Sequence, residues 1–174
     1  MKDMRGIMDN RIYFEKFASE EDFEDYLKLV LNEQVMKMNY GRVFTLEEAK
    51  MLYARVLKKN KIHEDFGDLK LFESDSKSLI GICSLSVNKE LTEAEVEYLL
   101  LPGYWGKGYG TETLVKLLNM AQGTKSIEKI TAITDPCNKA SKKMLLNNGF
   151  VSCKVYEIDD GSLAEEFSKK MDNS

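Results

Sequence analysis

The stretch Leu99-Leu-Leu-Pro-Gly-Tyr-Trp-Gly-Lys-Gly-Tyr-Gly-Thr111 joins an apolar, alternating run to a segment of helical period. Gly106, Gly108 and Gly110 alternate across that junction. Glycine reaches backbone conformations closed to other residues and lets amide N–H groups come close to a ligand. The helix expected next, from Thr111 to Gln122, adds free amides and the positive end of its dipole. Together these form an anion cradle suited to a pyrophosphate. Lys107 adds a mobile charge, Tyr109 an aromatic ring and Thr111 a hydroxyl. A dinucleotide fingerprint needs Gly-x-Gly-x-x-Gly, and a Walker loop ends in Gly-Lys-Ser/Thr. Neither is present, so the loop holds phosphate in some other way.

Working outward, Ala94 to Leu101 reads as a strand, with Val96, Tyr98 and Leu100 alternating against Glu95, Glu97 and Leu99. Asp68 to Glu73 and Leu79 to Asn88 form a hairpin around the polar turn Ser74–Ser78. Arg11 to Phe17 is a further strand. Two helix starts follow it, Ser19 with Asp22 and Thr45 with Glu48, each pairing a hydroxyl with an acid three residues on. Met36 to Phe44, with Gly41, reads as a connector between them. Downstream come a strand (Ile127 to Thr134), the turn Asp135-Pro136-Cys137 and a helix (Asn138 to Asn148) closed by Gly149. A hairpin, Val151 to Ile158 and Leu163 to Lys169, precedes a frayed tail from Met171. Hairpins outnumber crossovers. This predicts one α/β (α+β) domain over residues 1–174, a mixed sheet with helices on its faces rather than a doubly wound one.

Composition narrows the function. The 174 residues carry a net charge of −4 and are 43% hydrophobic and 31% charged. Such a chain is globular, lacks the basic footprint of a nucleic-acid binder, and has no apolar run long enough to cross a membrane. The first ten residues lack the apolar core of a signal peptide, so a cytoplasmic protein is expected. Cys83, Cys137 and Cys153 have no CxxC spacing, and His63 is the only histidine. Neither a disulfide framework nor a metal site is expected.

The loop and its surroundings resemble the GNAT superfamily of N-acetyltransferases, most closely the ribosomal-protein-alanine acetyltransferase (RimJ/RimL-like) branch. The family motif Arg/Gln-x-x-Gly-x-Gly/Ala aligns with Trp105-Gly-Lys-Gly-Tyr-Gly110, and a second block runs from Asn138-Lys-Ala-Ser141 to Gly149-Phe150. Trp105 stands where many relatives carry Arg or Gln, and Leu145 where many carry Tyr.

The resemblance implies a GNAT-like acyl-CoA N-acyltransferase fold, a mostly antiparallel sheet with two splayed strands. Acetyl-CoA, as co-substrate, would lie between the strands Ala94–Leu101 and Ile127–Thr134. Amides of Leu99 and Leu101 would pair with its pantetheine arm, and an N–H near Leu99 or Leu100 would polarise the thioester. Asn138 would lie near that arm. Glu97 is the first candidate base, Glu112 the second, and Ser141 the proton donor to the leaving thiolate. The acceptor would be a primary amine (a peptide N-terminus, a polyamine or another small amine), and the protein a monomer or homodimer. A non-catalytic acyl-CoA-binding module of the same fold remains the alternative.

Overall fold

In the computed structural model, which describes residues 10–172, seven strands form one sheet. They are β1 (Ile12–Lys16), β2 (Gly67–Glu73), β3 (Leu79–Val87), β4 (Glu93–Leu100), β5 (Lys129–Thr134), β6 (Val151–Glu157) and β7 (Leu163–Lys170). Their order is β1-β2-β3-β4-β5-β7-β6. Every neighbouring pair is antiparallel except β4 with β5, which are parallel. Five helices accompany them: α1 (Phe23–Val30), α2 (Glu33–Tyr40), α3 (Leu46–Asn60), α4 (Tyr109–Gln122) and α5 (Lys139–Asn147). The expected mixed sheet with helices on its faces is therefore what the chain forms. Residues 1–9 and 173–174, which include most of the N-terminal segment and the end of the tail, lie outside the described residues. Met171 is not frayed: its amide donates to the Glu128 carbonyl at 2.8 Å, and its side chain packs on the core.

Strand alternation sorts the side chains into two layers. Ala94 and Val96 of β4 meet Leu114, Leu117 and Ala121 of α4 and Leu145 of α5 in the larger core. Leu99, on the opposite face, joins Phe17, Leu29, Val35 and Tyr53 beneath α1, α2 and α3. Adjacent residues of β4 thus serve different layers.

The Thr45–Glu48 capping box forms as the sequence predicts. Thr45 Oγ1 accepts from the Glu48 amide at 3.1 Å, and Glu48 Oε2 accepts from the Thr45 amide at 2.8 Å. Of the connector expected over Met36–Phe44, Met36 to Tyr40 is instead the second half of α2, and only residues 41–44 connect it to α3. Asn32 Oδ1 accepts from the Val35 amide at 3.1 Å, and Gly41 closes the helix at φ +78°. The helix buries only Val35 and Met36, so it shows no apolar stripe. Its legible signals were the two caps and the Glu33–Lys37 pair four residues apart.

Asn60 fastens α3 to the sheet. Its Nδ2 donates to the carbonyls of Phe17 at 2.9 Å and Asp68 at 2.8 Å, and its Oδ1 accepts from the Asp68 amide at 2.8 Å. Gly67 lies against it at φ +136°, where an added Cβ would sit 2.1 Å from Asn60 Oδ1. Asn60→Ala strands the Phe17 carbonyl and the Asp68 amide, while the Asp68 carbonyl keeps the Phe17 amide at 3.3 Å, and is expected to cost about 2–3 kcal/mol. Urea unfolding checks this: the midpoint falls while the slope is unchanged.

Candidate active site

β4 and β5 begin as a parallel pair and then part. Their register runs Glu93↔Lys129, Ala94↔Ile130, Glu95↔Thr131 and Val96↔Ala132, and stops. Beyond Val96, β4 stays with β3 as far as Gly81↔Leu100, and β5 stays with β7 as far as Thr134↔Glu165. Each strand keeps its antiparallel partner, and a gap opens between them.

The direction of the backbone groups at that gap follows from two hydrogen bonds. The Thr92 carbonyl accepts from the Glu128 amide at 2.7 Å, so even-numbered residues of this strand face β5. The Leu101 amide donates to Ile80 of β3 at 2.8 Å, so odd-numbered residues face β3. Tyr98 and Leu100 therefore aim their amides into the gap. The expected pairing of the Leu99 and Leu101 amides with a pantetheine arm is corrected by one residue, since both face β3. Of the three named positions only Leu100 faces the gap, together with Tyr98. Trp105 closes the end of the gap, its Nε1 donating to the Leu100 carbonyl at 2.8 Å.

The glycine loop follows. Gly106 and Gly108 take φ +71° and +86°, and the exposed residues 106–108 lead into α4. α4 starts at Tyr109, two residues before the expected Thr111. The first bond closing that helix runs from the Glu112 amide to the Gly108 carbonyl at 3.1 Å. The preceding amides, through the half-buried Thr111, have no acceptor within the helix. Lys107 is exposed. Gly110 has a different reason for being glycine: an added Cβ would meet the Tyr98 ring at 3.3 Å.

Arg11 holds this loop, a role absent from the sequence reading. Its Nε donates to Glu112 Oε2 at 2.8 Å and its amide to Oε1 at 3.0 Å. Its Nη1 donates to the Lys107 carbonyl at 3.2 Å, and its guanidinium lies 4.3 Å over the Tyr109 ring. Glu112, the second candidate base, is buried with both oxygens engaged by Arg11. The legible signal was a lone carboxylate on the buried stripe of α4.

Across the gap, Asn138 Oδ1 accepts from the Ser141 amide at 3.1 Å and caps α5. Ser141 lies close to the Tyr98 phenol, which donates to Met144 Sδ at 3.4 Å. Burial pushes the Tyr98 phenol up to about 12, with the nearby Ser141 side chain opposing. Leu145 is buried in the core. Cys137 is exposed in its turn, and His63 packs edge-on against Phe66. No group of three or more metal-ligating side chains occurs among the described residues.

The other face of β4 opens on a cavity of about 330 Å³ between the sheet and α1–α3. Glu97 lines it, and the Tyr40 phenol from the end of α2 donates to Glu97 Oε1. The Glu97 side chain is solvent-accessible and lines the cavity beside Phe17, Tyr26, Tyr40 and Phe44. Burial raises the Glu97 carboxyl above its ordinary value, and Asp68 adds to this. The Tyr40 hydrogen bond and Lys59 oppose it. Burial and the Glu97 charge together hold the Tyr40 phenol far above the usual range, and Tyr26 is pushed up to about 12. Glu95, farther along the same strand face, is raised by burial and by Glu97.

A family model described as an acetyltransferase (GNAT) domain matches residues 11–151. Two uncharacterized N-acetyltransferases align with part of the chain. One is YoaA of Bacillus subtilis (strain 168), 29% identical over 77 residues, 44% of each chain. The other is p20 of Bacillus licheniformis, 30% identical over 97 residues, 53% of this chain and 54% of that one. The chain thus spans about half the length of these relatives. A spermidine N-acetyltransferase from Vibrio cholerae, solved with CoA and spermine, shares the fold with a TM-score of 0.74. It is 15% identical, over 93% of this chain and 96% of that one.

Gly108→Val places a side chain at φ +86° with its Cβ 3.3 Å from Arg11 Nη2. A left-handed non-glycine residue costs about 1–2 kcal/mol, so this variant is not neutral for the fold. Calorimetry should show CoA affinity reduced more than about tenfold, with a lower melting temperature. Unchanged affinity excludes this loop as the phosphate site.

Proposed function

The chain belongs to the GNAT acetyltransferase family, and on that premise we propose that it is an N-acetyltransferase moving the acetyl group of acetyl-CoA onto a primary amine. One observation carries the reading. On a single strand, Tyr98 and Leu100 aim free amides into the β4–β5 gap, while the other face presents Glu97 to the cavity beneath α1–α3. Donors for a developing negative charge and a base for an incoming amine thus sit on neighbouring residues.

The residues divide the work. Amides from Gly106 to Thr111 hold the diphosphate, on an open loop whose Gly106 has nothing within 4 Å of an added Cβ. Bound acetyl-CoA supplies an acetyl group activated as a thioester. The Leu100 or Tyr98 amide polarises its carbonyl, an interaction commonly worth about 3–4 kcal/mol. Glu97 takes the proton the amine must lose before its nitrogen can attack, directly or through cavity water. As the new N–C bond forms and the C–S bond breaks, Ser141 or Tyr98 returns a proton to sulfur. The loop Tyr104–Glu112 and the absence of a tyrosine at Leu145 support the ribosomal-protein-alanine branch by sequence alone. Residence in the cytoplasm accords with three free cysteines. Thiol release from acetyl-CoA across a panel of amines tests the reading. Tight CoA binding without amine-dependent release would instead mark a non-catalytic acyl-CoA binder.

A raised Glu97 moves the acidic limb of the kcat/KM profile above the ordinary carboxylate range, since only the ionised form accepts a proton. Glu97→Gln should remove that limb and lower the rate by about 10²–10⁴-fold. The deficit narrows as pH nears the acceptor's own pKa, where the neutral amine needs no base. Tyr40→Phe deletes the hydrogen bond that lowers the Glu97 pKa, so its limb should shift to still higher pH. A Tyr40→Phe profile that overlays the parent would separate this pair from catalysis.

A further inference from the structure

The charges lining the cavity are not all accounted for by the protein. Lys59 is held by Asp68 at 2.7 Å and by Ser86 Oγ at 3.0 Å. Among the described residues, the Glu97 carboxylate accepts a hydrogen bond only from the Tyr40 phenol. Arg55 lines the same cavity from α3, one turn before Lys59 or about 6 Å along the helix axis. It makes no ion pair or hydrogen bond among the described residues. One carboxylate and one guanidinium therefore face the cavity with no ion pair among the described residues, Lys59 acting on Glu97 only through its charge. The wall between them is apolar, with Phe17, Phe44, Leu52 and Val56.

We propose that the acceptor is an α-amino acid, or a close analogue, with an apolar side chain: its ammonium meets Glu97 and its carboxylate meets Arg55. This rests on the acetyltransferase reading above. A guanidinium presents a planar fork that matches a carboxylate with two parallel hydrogen bonds. The volume of about 330 Å³ is that of a small-molecule site. A polyamine carries several positive charges and finds one free carboxylate and a repelling Arg55. A peptide N-terminus brings no negative charge near its amine for Arg55 to pair with. The transfer itself is unchanged: nitrogen gains the acetyl carbon, sulfur leaves with a proton, and the amine's proton passes to Glu97.

The test compares thiol release for leucine and phenylalanine with leucinamide and phenylalaninamide, alongside spermidine and a short peptide. The amides keep the amine and side chain and lose the negative charge. Their amines are also more readily deprotonated, so chemistry alone favours them. The expected result is a kcat/KM ratio of acid to amide above about ten. Arg55→Gln should bring that ratio to one or below, through a higher KM for the acids. Lys58→Gln, on the same helix outside the cavity, should keep it. Equal use of acid and amide, preference for spermidine or the peptide, or a ratio indifferent to Arg55→Gln overturns the acceptor assignment and leaves the acetyltransferase reading standing. CoA binding by calorimetry with no thiol release for any amine overturns both.

Discussion

Everything at this site depends on where β4 stops pairing with β5. A parallel ladder between them ends at Val96↔Ala132, while each strand keeps its antiparallel neighbour for several residues more. Antiparallel pairing is slightly the more stable per residue. The four β4 residues from Glu97 to Leu100 are consequently bonded along one edge only. An unpaired strand edge is a template for another extended chain, and the pantetheine arm of coenzyme A has amides to offer it. Had β5 continued beside β4, the amides of Tyr98 and Leu100 would be satisfied and the cleft filled.

The same four residues join two compartments. Tyr98 and Leu100 send their side chains toward α4, and Glu97 and Leu99 toward α1–α3. A cofactor in the gap and an acceptor in the cavity would thus be neighbours through the thickness of one strand. The side chains are tuned to that arrangement. Tyr98, close to the hydroxyl of Ser141, is kept protonated by burial. Glu97 is raised by burial and by Asp68 but restrained by Tyr40 and Lys59. A base in a mostly apolar cavity gains affinity for protons, and the two opposing contacts keep its ionised form accessible.

Support for the glycine loop comes from the far end of the chain. Arg11 precedes the first strand, yet it anchors Glu112, Lys107 and Tyr109 together. Glycines supply the backbone freedom an anion cradle needs, and the same freedom would blur its geometry without such an anchor.

Much of this protein is legible in short-range patterns. The Thr45–Glu48 box, the alternation of β4, the glycine loop before α4 and the Asn138 cap are each written within a few residues, because caps and periods are local interactions. Those patterns determined the element order, all but α2, and the place of the glycine loop. They could not reveal that Tyr40 reaches Glu97 across 57 positions or that Arg11 reaches Glu112 across 101. Nor could they reveal which β4 amides face the gap, since that parity is set by bonds to β3 and β5. Local sequence chose the elements; only their packing, which brings distant charges together and decides which edge of a strand stays unpaired, assembled the cavity and the cleft.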